Sequence, residues 1–397
     1  MKNMKKSMFI AAIATMVLAG CTKDESIVEQ QEIGFQPLAY KASQTKAETT
    51  GDETGSTTTN QQTTDNVITD AFYPVNGPTF GLFAYQLEGV EEGTFDAANA
   101  SANLYIYNKP VKYTAGNWRT DPKSFWPLQG SLTFIAYSPF GVSASHSINK
   151  VAKNEGTTKL SSVLTITDFQ ADTEGQKDLM WSNLSKDKTS NGTVNNYPEE
   201  SSTYAGVPIT FNHALCRIKI TAKTAENYSG FATYKIKKIE VANLKDNATL
   251  TVTDDKATWS DPTTALGTAS GNDNVFDFFA PDAEANYVTL NSTTASAVNY
   301  KNEETTGNGL LAIPQSLDAN VKLLVTYTMT VDPDGTGSAP AVVTEITKPV
   351  TLNTQLASLE QNKVYTLNLS ISANEILYSP DVIDWTPQGA EYAVPEV

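Results

Sequence analysis

Two histidines and two cysteines are the only residues of their kind in the 397-residue chain, so nucleophilic and metal chemistry have few places to go. His213 and Cys216 stand three apart, a spacing that invites a thiol–imidazole reading. On an extended strand, residues three apart point to opposite faces, so that pair is expected to be a hydrogen-bonded histidine beside a buried cysteine. His146 has no second histidine at metal-ligand spacing, and no zinc site of the usual kind is expected. Asp332-Pro333-Asp334-Gly335 begins like a calcium loop but lacks its third acid and its closing glutamate. A β-turn explains it better, with Pro and Gly in turn positions. Carboxylates are numerous, yet sequence alone cannot set two of them at a glycosidase separation. Trp118, Trp126 and Trp259 lie in turn-rich stretches and could stack on sugar rings, although such residues more often fill a β core. No catalytic residue, metal or cofactor is expected.

The cysteine with the clearest chemistry is Cys21. Lys2, Lys5 and Lys6 form a positive start, and Met8–Leu18 is an apolar run of signal-peptide length, too short to cross a bilayer. Leu18-Ala19-Gly20-Cys21 then presents small residues before a thiol, the arrangement that lipoprotein signal peptidase cleaves. Residues 1–20 are read as the signal peptide and Cys21 as the lipidated N-terminus. Each buried methylene of an acyl chain contributes ~0.8 kcal/mol, so several chains hold such a protein firmly on a membrane. Thr22-Lys23-Asp24-Glu25 follows as a polar tether.

Net charge is −16 and the isoelectric point is near 4.6, which excludes nucleic acid as a partner because no basic field exists to displace counterions. With Cys216 as the only other cysteine, the mature monomer has no internal disulfide and must be held by its core.

The elements around these residues read as all-β. Gln31–Tyr40 is a short strand with Ile33 and Phe35 alternating, and Ala42–Asn66 is a polar segment without a large apolar residue, expected to be flexible. From Phe72 onward, short aromatic or β-branched runs are punctuated by Gly, Asn, Asp and Pro: Thr79–Tyr85, Leu132–Tyr137, Val163–Thr167, Thr249–Thr253, Val321–Thr330 and Val364–Ile371. No twelve-residue segment carries a helical stripe, and many short strands with turn signals indicate β-sandwiches. Alternation is imperfect over Ile236–Val241. It also breaks phase near Leu215: Ile209, Phe211, His213 and Leu215 share one parity, Cys216, Ile218 and Ile220 the other. A bulge or bend is expected there, since a one-residue slip turns every side chain to the other face. The domains are set at 21–66 for the lipidated segment, 67–205 for the first sandwich and 206–397 for the second. The tail from Ala373 is rich in apolar residues, with Ile376, Tyr378, Val382, Ile383 and Trp385, where a tail is normally polar.

Taken together, these pieces resemble the fimbrillin-like lipoproteins, the subunits of type V pili. The resemblance rests on Leu-Ala-Gly-Cys with Thr-Lys-Asp-Glu, the Ile33-Gly34-Phe35 strand, Phe80–Tyr85, Phe125-Trp126-Pro127 leading to Leu132–Pro139, Asp178–Ser182, Ile209–Leu215, Val364–Leu369 and Ile383-Asp384-Trp385. It implies two tandem transthyretin-like β-sandwich domains and a surface location on the outer membrane. It also implies maturation by a trypsin-like protease cutting between Lys46 and Ala47, although that family more often has Arg there. The cut removes the first strand, and a C-terminal segment of another pilin subunit fills the groove; a tail packed on its own domain would instead imply a tip or anchor subunit. The rival reading is a surface glycan-binding lipoprotein of a polysaccharide uptake system, which requires exposed, coplanar aromatics.

Overall fold

The computed structural model describes residues 31–39, 80–87, 94–114, 117–154, 156–171, 178–189, 206–228, 231–263, 274–302, 309–333, 336 and 340–385. Cys21, Lys46 and Ala47 lie outside them, as do Asp334, Gly335 and the residues after Trp385. The described residues form β-strands joined by loops and three-residue 3-10 turns, with no α-helix among them.

An eight-stranded sheet contains the first strand, Gly34–Ala39. It runs in the order Phe80–Leu87, Ala102–Thr114, Asn117–Thr120, Gly34–Ala39, Val207–His213, Met180–Ser182, Ser131–Ser138 and Ser185–Lys188. Phe80–Leu87 also pairs with Ser131–Ser138 along its whole length, so the sheet curls until its ends meet. Closure removes most of the edges an open sheet would expose. Inside lie Ile33, Phe35, Phe80, Leu82, Phe134 and Phe211 among others, all 3 % exposed or less.

A four-stranded sheet of Ala144–Asn154, Thr157–Gln170, Asn247–Thr253 and Lys256–Trp259 packs on the outside of this curl. Phe83, Ile135 and Tyr137 meet Leu164, Ile166, Leu250 and Val252 there. Strands 80–87 and 131–138 are therefore covered on both faces, which is why they read as continuous apolar runs rather than alternating ones. Gly81 makes the crossing possible: a Cβ on it would stand 2.3 Å from the Tyr137 ring.

The rest of the chain forms two facing sheets around a third core. One is Ser296–Val298, Cys216–Thr224, Lys363–Ile371 and Ile376–Asp384, with Leu310–Ala312 also on Cys216–Thr224. The other is Val275–Phe279, Ala232–Ala242, Lys322–Val331 and Val342–Thr351, with Val288–Thr289 also on Ala232–Ala242. The imperfect alternation over Ile236–Val241 is a bulge: the ladder to Lys322–Val331 slips between Ile236 and Lys238, which lets both Ile236 and Ile239 point into the core at 0 % exposure.

The parity break near Leu215 is where the chain changes sheet. Val207–His213 belongs to the closed sheet, Ala214 and Leu215 are outside any strand, and Cys216 opens the central strand of the next sheet. Sheet membership thus does not follow the division at residue 205 strand for strand. Val207–His213 pairs with earlier strands, and the hairpin Asn247–Trp259 returns to pair with Thr157–Gln170.

Candidate functional site

The first strand sits between two strands of distant sequence. It runs parallel to Val207–Phe211 over five residue pairs, Phe35↔Val207 to Ala39↔Phe211, and antiparallel to Trp118 and Arg119 over two. Alternation aims Ile33 and Phe35 inward at 0 % and 2 % exposure, with Pro37 also buried. The ladder to Asn117–Thr120 ends at Gly34 and Phe35, so Pro37 sits where one side has no strand partner and a missing amide hydrogen costs little. The Phe35 ring meets Phe80 at 6.3 Å and Phe134 at 5.7 Å, both edge-on, and Phe80 continues to Trp118 at 5.6 Å and Phe211 at 5.4 Å. Trp126, itself against Phe134 at 5.9 Å, closes the same core.

Polar contacts fix the register. Ile33 N donates to the Ser124 carbonyl and Trp126 N to the Gln31 carbonyl, each at 2.9 Å. The Glu32 carboxylate meets Lys123 Nζ at 2.7 Å and Arg119 Nη1 at 3.5 Å. Partly exposed pairs of this kind contribute about 1 kcal/mol or less, so they select a position more than they hold it. Gly206 lies directly beneath the strand with φ +94°, and a Cβ there would stand 2.5 Å from Phe35 N and 2.6 Å from the Gly34 carbonyl carbon. Only glycine tolerates both the backbone conformation and the approach.

A strand in this seat is thus defined by an acid, then Ile, an aromatic and Pro at every second position. The last strand repeats that series: Glu375-Ile376-Leu377-Tyr378-Ser379-Pro380 matches Glu32-Ile33-Gly34-Phe35-Gln36-Pro37. In its own place, Ile376–Asp384 is the outer strand on Lys363–Ile371, paired over nine positions. It buries little of its apolar content: Leu377, Val382 and Ile383 are 60 %, 46 % and 62 % exposed, while Tyr378 is buried. The Tyr378 hydroxyl donates to the Leu352 carbonyl and accepts from Gln355 N at 3.2 Å. The same parity faces inward in both seats. The apolar tail therefore packs on its own body as far as Trp385.

Trp385 locks that tail to the closed sheet. Its ring stacks on His213 with centroids 3.9 Å apart and planes 5° apart, and the Arg217 guanidinium lies 4.2 Å from its centroid. His213 Nδ1 donates to the Asp178 carboxylate at 2.6 Å. His213 is thus committed to Asp178 and Trp385, while the Cys216 thiol donates to the Ala312 carbonyl at 3.3 Å. Burial pushes that thiol up to about 12, so it stays protonated, and no thiolate–imidazole pair forms. His146 is enclosed by Phe83 and Tyr85, with Nε2 hydrogen-bonded to Ser162 Oγ at 2.8 Å, and burial lowers its pKa to about 3. Asp332 follows the strand Lys322–Val331, its N–H donating to the Phe231 carbonyl, and among the described residues no three His, Cys, Asp or Glu side chains stand close enough to hold a metal.

Trp118 and Trp126 are core residues at 5 % and 3 % exposure, and Trp259 is partly buried, with Nε1 donating to the Ala214 carbonyl at 2.9 Å. The three do not form a common platform. The Glu32 contacts and Gly206 escaped sequence reading because nothing local marks them. The repeat of Glu-Ile-x-aromatic-x-Pro was visible in the sequence and is the signal that would have linked the two strands.

The fimbrillin-like family model matches residues 89–385. Among curated proteins no relative matches the chain. A fimbrial protein from Bacteroides vulgatus shares 17 % identity at a TM-score of 0.57, over 90 % of this chain and 100 % of that one. At that identity the likeness concerns the fold alone. The tip fimbrial protein Mfa3 from Porphyromonas gingivalis, truncated at its C-terminus, aligns over 78 % of this chain and 94 % of its own at 8 % identity and a TM-score of 0.31. A likeness that weak carries no argument.

Proposed function

The chain belongs to the fimbrillin-like family, and from that premise we propose that it is a structural subunit of a cell-surface fimbria, assembled by strand exchange. In this reading it is exported as a lipoprotein on Cys21 and reaches the outer surface of the outer membrane. A trypsin-like protease cuts between Lys46 and Ala47, the first strand leaves, and a strand of another subunit takes its seat. The subunit has no enzymatic role, serves adhesion, and consists of two tandem β-sandwiches.

The observation that carries this reading is the seat itself. Ile33 and Phe35 are almost wholly buried on a strand whose covalent link to the rest of the described fold runs through residues 40–79. Burying a side chain of that size stabilises by about 1.5–3 kcal/mol, so losing the strand leaves an apolar groove and two rows of unpaired backbone groups. An incoming strand restores the ladder and fills alternate pockets. Strand donation of this kind is heterologous and does not close, which yields a filament. Glu375–Pro380 supplies the same residue types at the same spacing, so the C-terminal segment is the fitting donor, with Glu375 brought to Lys123 and Arg119. In its own sheet that strand is the outermost, paired over nine positions with Lys363–Ile371, with Tyr378 buried within it and Trp385 just beyond it.

Intact mass and N-terminal peptide mapping of the protein recovered from the cell surface test this. A mature chain beginning at Ala47 supports a polymerising subunit. A chain that still begins at lipidated Cys21 overturns the maturation step and leaves a tethered protein.

A further inference from the structure

An open cleft of about 610 Å³ separates the end of the hairpin Asn247–Trp259 from the short ladder formed by Gln315–Ser316 and Ser358–Leu359. That size falls in the range of small-ligand clefts, about 300–1,000 Å³. It is distant in purpose from the first-strand seat, and none of its lining belongs to that seat.

One wall is aromatic and rigid. Trp259 lines the cleft, its Nε1 is fixed on the Ala214 carbonyl at 2.9 Å, and Phe169 lies 6.2 Å away on the protein side. The opposite wall is held by the Gln315 amide, which accepts from Lys245 N at 3.0 Å and donates to the carbonyls of Lys245 and Ile313 at 2.9 Å each. Between these walls stand polar side chains that make no hydrogen bond or ion pair among the described residues: Lys245, Asp261, Ser316, Ser358, Glu360 and Gln361. Asp261, Ser316 and Glu360 are exposed, so their polar atoms are open to a ligand in the cleft.

An indole wall facing a set of free acceptors and donors is the chemistry of a sugar ring. The C–H face of a pyranose packs on the aromatic ring, and its hydroxyls donate to carboxylates and amide oxygens. Charge narrows the class. Among the described lining residues Asp261, Asp318 and Glu360 stand against one cation, Lys245, so an anionic sugar is repelled while a neutral or protonated amino sugar is accepted. We propose that this cleft binds a neutral or amino sugar, with one ring against Trp259 and its hydroxyls on Asp261 and Glu360. The proposal does not depend on how the subunit assembles.

Saturation-transfer NMR on the full chain tests it, with the methyl glycosides of glucose, galactose, glucosamine and glucuronic acid as probes. Transfer from at least one neutral or amino glycoside is expected, with the glucuronide at least tenfold weaker. Asp261→Ala should weaken binding tenfold or more, and so should Trp259→Ala. Because Trp259→Ala also strips packing from Phe169, Ser316→Trp provides an independent check by filling the cleft from the other wall, and it should abolish transfer. Absence of transfer from every probe overturns the proposal. So does transfer unchanged in both Asp261→Ala and Ser316→Trp, or equal binding of the glucuronide.

Discussion

Replacing Gly206 with alanine puts the strain directly under the first strand. The residue would keep φ near +94°, a region that costs a side-chain-bearing residue about 1–3 kcal/mol. The new methyl group would meet backbone atoms of Gly34 and Phe35 at 2.5–2.7 Å, where ordinary contact begins at 3.4 Å. Those atoms belong to main chain, so no rotamer change relieves the clash and the strand itself must lift. A lift of that size breaks the bonds that flank it, Ile33 N to Ser124 O and Trp126 N to Gln31 O at 2.9 Å. At about 1 kcal/mol for each buried bond, the loosening adds to the backbone strain and reaches roughly 3–5 kcal/mol. Hydrogen exchange on the full chain reads this out locally. Amides of Gln31–Ala39 should exchange about 100-fold faster or more, since 1.4 kcal/mol is a tenfold change. Amides of Lys363–Ile371 should keep their protection. Unchanged protection of the first strand alongside a general loss of stability would refute the reasoning, because the turn at Gly206 would then be absorbing the methyl group by itself.

Tyr378→Phe removes the hydroxyl that ties the last strand to Leu352 and Gln355, and it makes the strand a closer copy of the first. It should weaken the strand's own seat by about 1 kcal/mol and speed polymer growth of protein trimmed at Lys46, measured by light scattering. His146 should make the protein acid-sensitive. Its pKa falls from 6.5 unfolded to about 3 folded, so below pH 6.5 the unfolded chain takes up a proton that the folded one refuses. Stability then drops by up to about 1.4 kcal/mol per pH unit until about pH 3, and urea midpoints between pH 6.5 and 4.5 should fall less for His146→Phe than for the parent. Cys216, fully buried and with its pKa near 12, should not react with a disulfide reagent at pH 8 in the native protein and should react fully in denaturant.

Much of the architecture could be read from residue order, because period-two alternation and turn residues are local signals. Lys363–Ile371 alternates cleanly for a plain reason: one face meets the core and the other does not. Strands 80–87 and 131–138 show no alternation because a second sheet covers their outer face, a fact held by Leu164 and Leu250 far along the chain. The parity break at Leu215 marked a bend, yet not which sheets the bend joins; that depends on pairings to Gly34–Ala39 and Lys363–Ile371. Gly206 looked like any turn glycine, since its necessity comes from a strand about 170 positions earlier in the sequence. The tryptophans divided as expected for a β core, with Trp118 and Trp126 inside. His213 and Cys216 lie in different sheets rather than on opposite faces of one strand, and the stacking of His213 on Trp385 had no sequence signal, being a contact between residues in different sheets.

The most direct test of strand exchange is to trim purified protein at Lys46 with trypsin and follow its mass by light scattering, with and without a synthetic peptide of Gln31–Tyr40. The account predicts that the trimmed chain grows into polymers, that the peptide stops growth by refilling the seat, and that truncation before Glu375 abolishes it. A trimmed chain that stays monomeric, or polymers that form equally well with the peptide present, would contradict it.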